Sequence, residues 1–326
     1  MLNLKYIIIV VFILLLAGIF IPPNFNSEEQ KLFLIEKGEG LGDISTSLKE
    51  EKLINSSLLF RLYAITAGMS GNLKSGAYLF SPSMNIFQIA GKIGRGEIAR
   101  TEITIPEGFT SEQISDEFSI LPFFIKNVFL AAGAENYAGE FDFLSDVPEG
   151  TSLEGFLFPD TYKIDLDENS VGVIRMMLNN FNKKLTAELR GEIKDKNKTI
   201  FDTIIMASLL EREVKTFEDK QIVSGILWKR LKNGVPLQID ATVNYITGKN
   251  SAGVSIEDTK IDSPYNTYKY RGLPVGPISN PGIESIIAAM RTVESEYWFY
   301  LSAPDGRTIF SATLEEHAIA RAKYLK

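Results

Sequence analysis

Apolar positions along the chain follow three successive regimes. The first is an unbroken run: residues 7–21 read IIIVVFILLLAGIFI, after Tyr6 and before Pro22-Pro23. With its flanks it approaches the roughly 17 to 20 residues that cross a bilayer. It has no polar face, so a buried soluble helix does not fit. Lys5 and the α-amine precede it while Glu28 and Glu29 follow, which places the first residues in the cytoplasm and everything after Pro22 outside. A cleaved signal peptide is the competing reading. The run is long for such a peptide, and Ala17-Gly18 is followed by Ile-Phe-Ile, a poor cleavage context. An uncleaved transmembrane helix over 1–23 is expected, with a polar linker over 24–31.

The second regime is short and mixed. Leu32 to Ile35 reads as a strand. Ile44, Leu48, Leu53 and Ile54 fit an amphipathic helix, and 56–67 fits a second. Gly76 to Phe80 is a strand and 85–93 a helix ending near Gly94. The third regime, 99–326, alternates helices with turn-rich stretches. Strand signals lie at 100–105, 297–302 and 308–310, and helix signals at 111–118, 126–132, 171–189, 200–217, 222–231, 282–291 and from Leu314. The segment 153–162 reads as aromatic and turn-forming. Together these patterns predict an α+β fold.

Composition narrows the chemistry. The chain has 326 residues, enough for about two domains. Its net charge of −7 argues against a nucleic-acid binder working through a large basic surface. There are no cysteines, so thiol nucleophiles, thiolate zinc sites and disulfides are excluded. The single histidine, His317, excludes multi-His metal sites and weighs against a membrane-anchored peptidase or esterase. Acid–base chemistry is left mainly to the 41 carboxylates.

One carboxylate lies in an unusual place. Thr199 caps a helix beginning IFDTIIMASLLERE. At about 100° per residue, Ile200, Ile204, Ala207, Leu210 and Val214 form one stripe, and Glu211 falls in its middle. Glu213 lies about 200° further round. A carboxyl in an apolar setting is costly to ionise, so it can hold a proton near neutrality and give it up, as glycosidic cleavage requires. The competing reading is an interior ion pair with Arg212, Lys215 or Arg230. Further on, 263–282 reads SPYNTYKYRGLPVGPISNPG, with four prolines, three glycines and three tyrosines. Such a segment cannot be a helix or a central strand. Its tyrosines and amides suit sugar rings, which offer C–H faces for stacking and hydroxyl and acetamido groups for hydrogen bonds.

Two resemblances follow from these residues. The strand–helix–helix–strand order over 32–98 resembles a LysM-like carbohydrate-binding module, with a plain spacer as the alternative. The segments IPEGFT at Ile105, LEGFLFPDTYKI at Leu153, ASLLERE at Ala207, LQIDATVNY at Leu237, SPYNTY at Ser263, GLPVGPISNPG at Gly272 and FSATLEEH at Phe310 resemble the endolytic murein transglycosylases of the MltG (YceG-like) family. Departures are Ala241 where the family shows Pro, Thr308 where it shows His, and Ala318 where Asn often stands.

The resemblance implies a catalytic domain over 99–326 and a single-pass inner-membrane enzyme with its body on the outer side. Such an enzyme cuts peptidoglycan glycan strands internally and leaves 1,6-anhydromuramic ends, beside peptidoglycan synthases and divisome or elongation proteins. It implies no cofactor and no metal. The first Glu of the family's E-x-E matches Glu211, the expected catalytic acid and base, with Glu213 as reserve or as an ion-pair member. It also implies that Gln238, Asp240, Thr242, Tyr245, Tyr265, Asn266 and Tyr268 line the cleft. A non-catalytic cell-wall-binding or divisome scaffold protein is the alternative.

Overall fold

The computed structural model describes residues 5, 6, 10, 13, 17–249 and 253–325. Most of the apolar run at 7–21 therefore lies outside the described residues. Among the described residues, no helix is long and apolar enough to cross a membrane. The α+β expectation holds: helices predominate and the strands pair in twos.

The chain divides into two compact units. The first comprises 1–102 with 121–123 and 163–168. Strand β1 (Lys31–Ile35) pairs antiparallel with β2 (Gly76–Phe80), Phe33 opposite Tyr78. Between them run helices α1 (Leu41–Glu50) and α2 (Ser57–Thr66), and α3 (Ile86–Arg95) follows. Strand–helix–helix–strand is thus the observed order. Alternation sends Phe33, Ile35, Tyr78 and Phe80 into one core with Ile44, Leu48, Phe60 and Ile89. Asn85 and Gln88 close a reciprocal capping box on α3, and Gly96 ends it in the left-handed conformation.

The second unit comprises 103–120, 124–162 and 169–326. Its centre is α8 (Ile200–Glu213). Every residue from Thr203 to Leu210 is buried, so this helix has no solvent face along its middle. α11 (Ile283–Met290) packs along it, and α9 (Phe217–Lys232), α10 (Asp240–Thr247) and α7 (Ala187–Asp195) also contact it. Phe143, Phe156 and Phe181 form an aromatic cluster below, with Phe143–Phe181 centroids 4.8 Å apart. The strands β5 (Phe299–Ser302) and β6 (Thr308–Ser311) form an antiparallel hairpin, followed by α12 (Leu314–Tyr324).

Several elements differ from the pattern-based expectation. The expected helix over 171–189 is two: α6 (Ser170–Lys184) stops at Leu185, and Thr186 caps α7 by accepting from the Leu189 N–H. α8 ends at Glu213 because Val214 turns extended, and Thr216 then caps α9, which begins five residues earlier than expected. Thr161–Asp165 is a strand, β4, paired with β3 (Arg100–Thr104), with Tyr162 and Ile164 buried on alternate positions. α4 (Ser111–Phe118) and α5 (Lys126–Ala132) match their expected bounds.

Gly155 fixes the loop before β4. Its φ of +89° favours glycine, and a Cβ there would lie 2.6 Å from Pro277 and 2.8 Å from Ile204 Cγ2. Gly155→Ala is expected to cost about 2 to 5 kcal/mol through left-handed strain and overpacking. Urea unfolding of the variant measures it, and an unchanged midpoint would contradict this tight approach.

Candidate active site

The C-terminal turn of α8 carries Glu211 and Glu213 in opposite circumstances. Glu211 Oε1 accepts from the ammonium of buried Lys220 at 3.1 Å, and its Oε2 accepts from the Gly282 N–H at 2.9 Å. Two donors converge on its two oxygens. Glu211 therefore sits as a member of an interior ion pair, with Lys220 of α9 rather than Arg212, Lys215 or Arg230 as its partner. A second acid closes on Gly282, where a Cβ would lie 1.8 Å from Glu107 Oε1. Burial, then the charge of Glu211, pushes the Glu107 carboxyl up.

Among the described residues, no ammonium or guanidinium hydrogen-bonds the Glu213 carboxyl. Burial pushes its carboxyl up to about 7, and neighbouring Asp240 adds to the rise. The Tyr300 hydroxyl donates to its Oε2 at 3.1 Å, the Ala241 N–H also donates to its carboxyl, and Arg212 lies near enough to favour its charge; these oppose the rise without cancelling it. β5 holds the residue at two points. Tyr300 reaches the side chain, and Ser302 Oγ, on the same face of the strand, donates to the Glu213 carbonyl at 2.8 Å.

Around Glu213 stands a polar ring drawn from separate loops. The Tyr268 hydroxyl donates to Asp240 Oδ1. Gln238 is exposed, adopts φ +56°, and its Oε1 accepts from Arg230 Nη2 at 3.0 Å. An L-residue in that conformation stores strain, as side chains aimed for function often do. Buried Arg230 also lies over the Phe299 ring, 5.6 Å from its centroid.

A cavity of about 560 Å³ meets this ring at Ala241, the residue whose N–H donates to Glu213. Ala241, Asn244, Tyr245 and Tyr265 line it, with Arg212, Thr110 and Gln113. Tyr245 and Tyr265 present tilted rings 5.0 Å apart. A second buried acid, Glu154, forms part of its wall. Burial raises the Glu154 carboxyl to about 7, although the Ser111 N–H, Asn280 Nδ2 at 2.7 Å and the Tyr245 hydroxyl all hydrogen-bond to it. Asn280 Oδ1 in turn accepts from the Gly155 and Leu157 N–H groups, both at 2.9 Å. This knot ties the LEGF and ISNPG loops to the start of α4.

The expected cleft residues separate into two groups. Gln238, Asp240, Tyr245, Tyr265 and Tyr268 gather at the ring and cavity. Thr242 and Asn266 are buried with their polar atoms satisfied inside the protein. Thr242 Oγ1 donates to Ile239 O at 2.7 Å, and Asn266 Nδ2 donates to Thr259 O and Ile261 O. These two shape loops, and neither lines the cavity of about 560 Å³. Sequence reasoning missed Glu154, Lys220 and Tyr300, and offered Arg230 as a partner of Glu211 where it bonds Gln238 instead. The i, i+2 spacing of Tyr300 and Ser302 on a strand was the one available signal for Tyr300. Among the described residues, no cluster of three or more acidic or histidine side chains could hold a metal.

Fold and site define an α+β protein in which a buried acid, Glu154, and two tyrosines, Tyr245 and Tyr265, line one cavity. The chain belongs to the YceG-like family, whose pattern matches residues 33–323. It is 31% identical over 318 residues to the endolytic murein transglycosylase of Bacillus subtilis (strain 168), covering 93% of this chain and 87% of that one. It is 28% identical over 325 residues to the protein of that name from Streptococcus pneumoniae serotype 2 (strain D39 / NCTC 7466), covering 91% of this chain and 59% of the pneumococcal one. The crystal structure of a yceG-like protein from Listeria monocytogenes superposes with a TM-score of 0.62 at 32% identity, covering 90% of this chain and 99% of that one.

Glu154 gives a stability test. The folded carboxyl keeps its proton up to about 7, whereas the unfolded one releases it near 4.5. Its contribution is therefore present below the unfolded value and is lost as pH rises towards 7. Glu154→Gln should make the decline in stability between these values shallower, measured by urea unfolding across pH. An unchanged pH slope would contradict the assignment.

Proposed function

We propose that this protein is a membrane-anchored lytic transglycosylase acting on peptidoglycan glycan strands, with Glu213 as its general acid and then its base. The observation that carries this reading is the raised carboxyl of Glu213, held by Tyr300 of β5 and by the N–H of Ala241, a residue that lines a cavity with Tyr245 and Tyr265, in a chain whose relatives bear the name endolytic murein transglycosylase. The catalytic role moves from Glu211, the sequence-based choice, to its neighbour, because the Glu211 oxygens are already engaged by Lys220 and Gly282.

The chemistry needs one carboxyl. Glu213 donates its proton to the oxygen bridging N-acetylmuramic acid and N-acetylglucosamine, and the muramic C1–O bond breaks. The carboxylate so formed takes the proton of the muramic C6 hydroxyl as that oxygen bonds to C1. A 1,6-anhydro ring closes, no water is consumed, and Glu213 ends protonated as it began. Asp240 sustains the high proton affinity, and Tyr300 holds the carboxyl in place. Tyr245 and Tyr265 offer stacking faces for sugar rings, while Gln238 offers an amide held ready by Arg230.

The anchor at 7–21 would keep the body against the outer side of the membrane where strands are synthesised, near the synthases and divisome or elongation proteins. The βααβ unit adds a second glycan contact in keeping with a LysM-like module. A cavity of about 440 Å³ lies between its 36–41 and 70–75 loops, lined by Glu36, Lys37, Glu39 and Lys74.

Digestion of purified sacculi followed by mass analysis of the products tests the reading. Glu213→Gln should reduce release of anhydromuropeptides by about 10²- to 10⁴-fold while keeping the fold. Glu211→Gln should lower stability by about 3 to 5 kcal/mol through the stranded Lys220, yet leave cleavage by the folded fraction. Full activity in Glu213→Gln would overturn the assignment, and products with reducing ends would make the enzyme a muramidase. The acid must be protonated to start the cycle, so kcat/KM should be full below about 7 and fall as pH rises through it. A flat profile from pH 5 to pH 9 would contradict this.

A further inference from the structure

α2 faces the wrong way for a helix of a water-soluble unit. Its sequence SLLFRLYAIT contains a single charge, Arg61. Phe60 and Ala64 supply its buried side and pack into the first unit's core. On the opposite side Leu58, Leu62 and Ile65, at i, i+4 and i+7, form one exposed stripe with 58%, 45% and 57% of their surface open. Scattered exposed leucines need no explanation, whereas a contiguous apolar stripe does.

The stripe continues into other exposed apolar groups. Phe87, at the start of α3, is half open, and its ring lies 6.0 Å from Tyr63 of α2. Phe20 lies 5.9 Å from Phe87 and is equally open. Phe20 and Ile21 are the last residues of the apolar run. They are fixed to this same side of the unit: Asn55 Nδ2 donates to Ile21 O at 3.1 Å, Ile19 packs against the core, and a Cβ on Gly18 would lie 2.6 Å from Leu59. The place where the apolar run joins the unit and the exposed face of α2 are therefore one continuous surface.

We propose that the outer face of α2, together with Phe20 and Phe87, rests in the interfacial layer of a lipid bilayer. The proposal rests on the anchor reading of residues 7–21. A segment crossing the bilayer must deliver Phe20, Ile21 and whatever adjoins them to the membrane surface. An apolar stripe on a helix with one cation and no acid suits that layer, and Arg61 can extend its guanidinium to the lipid phosphates from the flank of the stripe. Lying flat there, α2 would tie the first unit to the bilayer at two places, the anchor and the stripe, and so restrict its rotation about the anchor.

The absence of native cysteine makes the test direct. Single cysteines replace Leu62, Ile65, Lys37 and Val10 in the full chain, each labelled with the fluorophore NBD. The proteins are reconstituted into phosphatidylcholine–phosphatidylglycerol vesicles with or without nitroxide lipids. Labels at Leu62→Cys and Ile65→Cys should shift to the blue and lose most of their emission to a shallow nitroxide. The label at Lys37→Cys, on an exposed loop, should be quenched by aqueous iodide instead. If the Val10→Cys label is quenched by a deep nitroxide while Leu62→Cys behaves like Lys37→Cys, the anchor stands and the proposal falls. If Val10→Cys is untouched by any nitroxide, the anchor reading itself fails and the proposal with it. A blue shift at Leu62→Cys that ignores nitroxide but grows with protein-to-lipid ratio would assign the face to a second copy and overturn the proposal.

Discussion

A carboxyl group at the last turn of a helix buried along its whole middle has little water with which to stabilise a charge. That constraint governs Glu213. α8 runs through the centre of its unit with Thr203 to Leu210 entirely enclosed, and its C-terminal acids Glu211 and Glu213 are still partly buried where the helix ends. Each must find a partner or keep its proton. Glu211 finds Lys220. Glu213 finds a tyrosine hydroxyl, a backbone N–H and a second acid, and holds its proton up to about 7. Two positions apart on one helix, the fold thus pairs one acid with an ammonium and raises the proton affinity of the other.

The surroundings serve that division. Lys220 comes from α9, which Thr216 starts immediately after the extended Val214. The short break between helices therefore brings the counter-ion back to Glu211 and leaves Glu213 without it. The β5–β6 hairpin, remote in sequence, clamps the Glu213 side chain through Tyr300 and its carbonyl through Ser302. The glycine- and proline-rich loops bring Tyr265, Tyr268 and Gly282 to the same end of α8, where backbone and side chain alternate as binding groups.

Much of this architecture was legible from the chain. Periodicity gave the βααβ order and most helices, because their apolar faces point to cores on one side. The proposed acid, Glu213, is not the one the pattern favours. The wheel that favoured Glu211 assumes one buried stripe and one solvent stripe, whereas the middle of α8 is enclosed all round, so position on the wheel does not separate the two acids. The deciding partners, Lys220 and Tyr300, lie 9 and 87 residues away from their respective acids. Thr242 and Asn266 show a related limit. Their residue types suit a sugar site, but their hydrogen bonds close turns, which composition alone does not distinguish. Tyr162 and Ile164 alternate cleanly, yet the prolines and aromatics just before them masked the strand.

The most direct test is the proton itself. With glutamate carboxyls labelled by carbon-13, the Glu213 resonance can be identified by its loss in Glu213→Gln and followed by NMR across pH. A titration midpoint near 7 is predicted for that side chain. A midpoint at the ordinary carboxylate value of 4.5 would leave Glu213 ionised at neutrality and contradict its role as proton donor.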